Sequence, residues 1–129
     1  MPGGDHLPDA GAAARRALGA AGEAAAAAWY EARGYVILAR NWRCRAGELD
    51  LVVGVPGLVV FCEVKARRSD RFGAPFEAVT VTKQRRIHGL GMQWLREHPQ
   101  RGARVRFDVA SVFVPRDEPP RIEVLEGVF

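Results

Sequence analysis

The sequence predicts a single α/β domain, a small mixed sheet built on a three-strand antiparallel meander with helices on its faces. Three observations predict it. An Ala-rich segment with apolar residues at helical spacing comes first, and three strand-like runs joined by short turns follow it. A second amphipathic segment then separates the third run from a fourth. At 129 residues the chain can bury a core without disulfide or metal staples. Residues 1–11 read as a flexible N-terminus and 12–129 as one domain.

The first helix is expected from Ala12 to Arg33, because alanine is the best helix former and Leu18, Gly22, Ala25, Trp29 and Ala32 fall near one face. Gly34 stands where a terminating glycine belongs. YVILARNWR (35–43) and GELDLVV (47–53) follow as strands, and the second alternates. Glu48, Asp50 and Val52 share one face, and Leu49, Leu51 and Val53 the other. Gly54-Val55-Pro56-Gly57 is the expected turn. LVVFCEVKA (58–66) is apolar enough for a central strand, with Phe61, Glu63 and Lys65 on one face. After a charged loop, a second helix is expected from Thr80 to His98, burying Ile87, Leu90, Gly91, Trp94 and Leu95. RVRFDVASVFV (104–114) is a fourth strand, and RIEVLEGVF a short edge strand or tail.

No apolar run approaches the roughly 20 residues that span a bilayer. MPGGDHLPDAG has no basic segment followed by an apolar one, so the expected location is the cytoplasm, without membrane attachment. Cys44 and Cys62 are expected to be reduced and buried, and four ligands at zinc-finger spacing are absent. The net charge of +4 permits an anionic partner without identifying one.

The hairpin GELDLVVGVPGLVVFCEVKARR carries the informative anomaly. A buried strand normally excludes unpaired charge, yet Asp50, Glu63 and Lys65 lie in two of them. With a four-residue turn Asp50 faces Phe61 and Glu48 faces Glu63; a turn two residues longer sets Asp50 directly opposite Glu63. In either register the carboxylates converge, and they repel unless a cation sits between them. An oxygen-lined site of this kind suits Mg²⁺ or Mn²⁺. Lys65 on the same face can hold the carboxylates as a structural ion pair, or orient a water and stabilise developing phosphorane charge.

Asp50, twelve residues, then Glu63-Val64-Lys65 resembles the Asp…Glu-x-Lys signature of the PD-(D/E)XK nuclease superfamily. More closely, GAAGEAAAAAWYEARGYVILARNWRCRAGELDLVV, VVFCEVKARRSDRFG and KQRRI are similar to the bacterial YraN-like family, predicted endonucleases distantly related to archaeal Holliday-junction resolvases. The similarity runs from about Gly19 to the RFDV at 106–109. It implies a restriction-endonuclease-like core and a Mg²⁺- or Mn²⁺-dependent nuclease acting on DNA, with branched or junction DNA among its candidate substrates. It implies Asp50 and Glu63 as metal ligands, Lys65 as the catalytic lysine, and the Val64 carbonyl as a further ligand. Glu23 matches the helical glutamate that related resolvases bring to the metal, although a glutamate near Arg15, Arg16 and Arg33 can equally be a solvated charge. Leu49 stands where the superfamily name has proline. A homodimer follows by analogy, since two symmetric cuts need two sites. A protein partner is left open.

Lys83, Arg85 and Arg86 crowd the first turns of the second helix, where the helix dipole disfavours cations. They read as a phosphate cradle, with Gln84 as a hydrogen-bonding neighbour, or as a solvated basic face balanced by Glu77. Arg67, Arg68 and Arg71 would extend the basic path or serve solubility. His6, His88 and His98 form no ligand set, and Gly89-Leu90-Gly91 lies inside a helix, not in a dinucleotide loop. Trp29, Trp42 and Trp94 are expected in the core, Trp42 with partial exposure, and Asp108 as the partner of a neighbouring arginine. The competing functions are a nucleic-acid-binding module on the same fold, non-catalytic or dependent on a partner, and a structural protein with a buried ion-pair network.

Overall fold

A computed structural model describes residues 10–69 and 79–129. In chain order the elements are α1 (Ala10–Ala32), β1 (Val36–Cys44), β2 (Gly47–Val55), β3 (Leu58–Arg67), α2 (Val81–Glu97), β4 (Arg104–Phe113) and β5 (Arg121–Leu125). The strands form one sheet in the order β1-β2-β3-β4-β5. The first three make the antiparallel meander, α2 carries the chain across to a parallel β4, and β5 closes the far edge antiparallel to β4. This is the mixed α/β sheet that the sequence predicts. Arg71 and Glu77, like His6, lie outside the described residues.

Each helix covers one face of the sheet. Ala26, Ala27 and Tyr30 of α1 pack with Leu51, Val53, Val60, Cys62 and Ala110, while Ile87, Leu90 and Trp94 of α2 pack with Leu49, Val52, Phe61, Phe107 and Val109. The stripe on α2 is the expected one. On α1 it is rotated: Tyr30 is fully buried, Trp29 is half-exposed, and Ala26 replaces Ala25. Spacing ranks Trp29 above Tyr30, but the Tyr30 hydroxyl donates to Asp108 Oδ2 at 2.5 Å, and a buried phenol is stable where its oxygen has a partner. Asp108 accepts two further bonds from Arg106 at 2.9 Å and one from the Gly127 N–H at 3.0 Å. It is the arginine partner expected.

Two local features fix the sheet's register. Gly34, at φ +87°, turns the chain from α1 into β1. Between β2 and β3 the turn is shorter than expected, because the ladder continues to Val55 opposite Leu58 and leaves only Pro56 and Gly57 outside it. Proline first and a glycine at φ +83° second are the requirements of a type II turn. Val53 therefore pairs with Val60 and not with Leu58. The ladder ends at Leu51 opposite Cys62, one step short of Asp50, so Asp50 and Glu63 come to adjoining positions on neighbouring strands; a shorter turn, not the longer one expected for that register, brings them there.

The two cysteines belong to opposite faces, Cys44 beside α2 and Cys62 beside α1, and both are free thiols. Burial raises the pKa of the Cys62 thiol and keeps it protonated. Among the described residues no helix is long and apolar enough to cross a membrane.

Candidate functional site

The strict alternation expected of β2 breaks at Asp50. Leu51 and Val53 pack against α1, yet Leu49 joins Val52 on the α2 side, so two apolar residues of equal parity face opposite ways. The neighbouring strand, whose register shifts earlier, between Ile37 and Ala39, has an unusual backbone at the same level. Arg40 pairs with Leu51 and Trp42 with Leu49, and between them Asn41 adopts φ +49°, a left-handed conformation that asparagine tolerates better than most residues. This double kink frees the Asp50 side chain from the pleat. Its Oδ2 accepts the Val64 N–H of β3 at 2.8 Å, which ties the kink to the central strand.

A close approach of α1 completes the cluster. A Cβ at Gly22 would stand 2.5 Å from the Ala66 Cβ, so only glycine lets the helix lie this near to β3. The next residue, Glu23, is thereby brought to the carboxylates of β2. Glu23, Glu48 and Asp50 each place one oxygen so that all three lie within 4.8 Å of one another. Glu48 accepts from Arg43 Nε at 2.7 Å, and Glu23 hydrogen-bonds Asn41. Glu48 was legible in the sequence as the i−2 face-mate of Asp50, but the Asp…Glu-x-Lys signature gives it no role.

Glu63 lies on the α2 side of this group. Its Oε1 pairs with Lys83 Nζ at 3.1 Å, with side chains 10% and 24% exposed respectively. Lys83 therefore turns inward from the start of α2, and it also hydrogen-bonds Lys65. Thr80 caps this helix by accepting the Lys83 N–H at 3.1 Å. The site is thus divided by charge: Glu23, Glu48 and Asp50 on one side, Lys65 and Lys83 on the other, Glu63 between.

The protonation energetics follow from that crowding. Burial first, and then the Glu63 carboxylate, raise the Asp50 pKa to about 7, although the Val64 N–H pulls the other way. Burial also raises Glu23, with Glu48 and Glu63 adding to the effect. Lys65 is lowered, by burial and by the adjacent Lys83 ammonium, against the attraction of Glu63 and Asp50. Burial opposes the charge on Lys83 too, but its bonds to Lys65 and Glu63 outweigh that and raise it.

Such a set fits a hard divalent cation. Three carboxylate oxygens converge, two of the acids are held above their ordinary values by burial and mutual repulsion, and Arg43, which pairs with Glu48, sits in solvent. The remaining sequence candidates lie around this centre. Val64 contributes its N–H to Asp50. The Gln84 amide folds back to donate to the Val79 carbonyl at 3.1 Å, and Arg68 donates to the Val114 carbonyl at 3.1 Å. Arg85 and Arg86 are exposed, the stem of Arg86 reaching toward Gly47 of β2, and Arg67 lines a cavity of about 250 Å³ with Ser111 and Arg121.

The model of the uncharacterised protein family UPF0102 matches residues 22–112, from the glycine that seats α1 to the end of the buried part of β4. The chain belongs to this family. A UPF0102 protein of Frankia casuarinae is 50% identical over 116 residues, covering 90% of this chain and 98% of that protein. UPF0102 proteins of Renibacterium salmoninarum and Beutenbergia cavernae are 46% and 47% identical, covering 86% and 89% of this chain and 94% and 98% of theirs. The UPF0102 match begins at Gly22 and takes in all the carboxylates and both lysines of the site.

Proposed function

We propose that this UPF0102 protein is a metal-dependent endonuclease that hydrolyses phosphodiester bonds of DNA, on a restriction-endonuclease-like core. The observation that carries the reading is the convergence of Glu23, Glu48 and Asp50 beside Lys65 on a kinked hairpin. A DNA-binding module has no need of partly buried, mutually repelling acids, whereas a phosphodiesterase uses them to hold a cation.

Glu23, Glu48 and Asp50, with Glu63 adjoining, would hold Mg²⁺ or Mn²⁺. Bound there, the ion supplies an activated water and neutralises charge on the phosphoryl oxygens. Lys65 lies where it can orient the attacking water and stabilise the charge that builds on phosphorus in the transition state. Lys83 keeps Glu63 in place and adds a second positive charge on the side where a phosphate would approach. Arg85 and Arg86 supply sequence-independent backbone contacts beyond it. Symmetric cutting of two strands would require a two-fold dimer.

The test is cleavage of a labelled panel of duplex, single-stranded, flap and four-way junction DNA in Mg²⁺, Mn²⁺ or EDTA. Wild type is compared with Asp50→Asn and Lys65→Ala. Cutting that needs the metal and is lost in both variants is the expected result, and the preferred substrate then defines the branch of DNA processing. DNA binding without cutting under any condition would replace the nuclease with a binding module, or with an enzyme that waits for a partner.

A further inference from the structure

Two glycines lie in the middle of α1, and packing accounts for one. Gly22 is pressed on Ala66, as described above. Gly19 is not: a Cβ there would meet nothing within 4 Å. Glycine is the least favourable ordinary residue inside a helix after proline, and the helix around position 19 is built mainly of alanine. Helix propensity favours alanine at 19 and packing does not oppose it.

Gly19 does line a cleft of about 350 Å³, together with Arg15, Leu18, Glu23, Val64 and Lys65. Glu23 also borders a smaller cavity of about 160 Å³ that holds Asp50 and Asn41, so it stands in the wall between the cleft and the carboxylates of β2. The cleft therefore leads to the carboxylate cluster with Lys65 in its wall and the exposed Arg15 at its rim. Positive charge along the walls and acids at the inner end match a polyanion whose phosphate must reach a cation.

We propose that this cleft admits the sugar-phosphate backbone of a nucleic-acid strand, and that Gly19 lacks a side chain so that the strand can lie against the helix and bring a phosphate to Lys65. The inference rests on the nuclease reading of the same site and adds the path of the substrate. It assigns Gly19 as a determinant of substrate access that touches no catalytic group.

The experiment compares wild type, Gly19→Ala, Gly19→Leu and, as a control on the exposed part of the same helix, Ala28→Leu. Each is measured for thermal midpoint, for Mn²⁺ affinity by calorimetry, and for binding and cleavage of a fluorescently labelled DNA strand. Both Gly19 variants should melt at or above the wild-type temperature and bind Mn²⁺ as wild type does. Gly19→Leu should bind DNA roughly tenfold or more weakly, the size of penalty expected when a side chain is forced into a filled contact, and Gly19→Ala should lose less. Ala28→Leu should bind and cut normally. Should Gly19→Leu melt low, Gly19→Ala, which can only strengthen the helix, decides by its DNA affinity. Wild-type DNA affinity in the folded Gly19 variants overturns the path and leaves the nuclease reading standing if they also cut. If wild type binds DNA without cutting, and Gly19→Leu loses that binding, the path holds and the nuclease reading fails. A wild type that neither binds nor cuts DNA overturns both.

Discussion

Asp50 and Asp108 are both carboxylates set into inner strands of one sheet, and their surroundings are opposite. Asp108 has no solvent exposure and receives four bonds, from Tyr30, twice from Arg106, and from the Gly127 N–H. Asp50 receives the Val64 N–H and otherwise faces Glu23, Glu48 and Glu63. The first is a closed network in which each donor has its acceptor, and the same bonds hold Arg106 firmly protonated. The second is a group of like charges that the fold assembles and neutralises only at its margins, through Arg43 on Glu48 and Lys83 on Glu63. Burial alone does not mark a functional acid; the balance of charge around it does.

Four predictions would break or sharpen that contrast. The largest concerns catalysis: Asp50→Asn should lower metal-dependent DNA cleavage by roughly three orders of magnitude, the scale of losing a principal electrostatic group, with the fold intact by circular dichroism. Activity retained in that variant would remove Asp50 from the site. Asp108→Ala should do the reverse. It leaves the Arg106 guanidinium and the Tyr30 hydroxyl without their buried partner and should cost about 3–5 kcal/mol in urea unfolding, while Mn²⁺ affinity of the folded fraction is unchanged.

The third prediction concerns pH. The native Asp50 pKa of about 7 lies above the unfolded value near 3.9, so the native state binds the extra proton between them. Stability from this group is full below the unfolded value and is lost as pH rises from about 4 to about 7. Metal-free Asp50→Asn should therefore be more stable than wild type at pH 8, by on the order of 2 kcal/mol, and the difference should vanish toward pH 4. Mg²⁺ should raise the melting temperature of wild type at pH 8 and leave that of Asp50→Asn nearly unchanged. An equal melting temperature for the two metal-free proteins across this range would mean that the cluster carries no electrostatic strain.

The smallest expected effect is structural. Gly22→Ala puts a methyl 2.5 Å from the Ala66 Cβ, so α1 must move away from β3, at about 1–3 kcal/mol in denaturant unfolding. Because Glu23 moves with the helix, Mn²⁺ affinity should fall in the same variant. A loss of stability with full metal affinity would show that Glu23 is not a ligand.

Most of the frame is legible in the sequence. Periodicity placed both helices and the first four strands, since apolar spacing reports directly which face is buried, and left the last segment open between an edge strand and a tail. The Glu-Val-Lys run in a central strand marked the site, because a buried strand tolerates charge only for a reason. Three things were not legible. Tyr30 takes the fully buried position and Trp29 a partly exposed one because the Tyr30 hydroxyl donates to Asp108, 78 residues away. Glu48 joined Glu23 and Asp50 because the alternation of β2 fails opposite a left-handed Asn41, and no single strand pattern encodes a kink shared by two. Lys83 turned toward Glu63, whereas the helix-start pattern pointed it at a ligand.

The sequence by itself determined the elements, their order and the charged groups available to a site, because these depend on local propensity, on side-chain spacing and on which functional groups are present. Only the tertiary structure decided which acids share a cation-sized space, which lysine pairs with Glu63, and which of the two mid-helix glycines is fixed by packing. Those outcomes depend on distances between segments far apart in the chain, set by a two-residue turn, a paired kink and the close approach of α1 at Gly22.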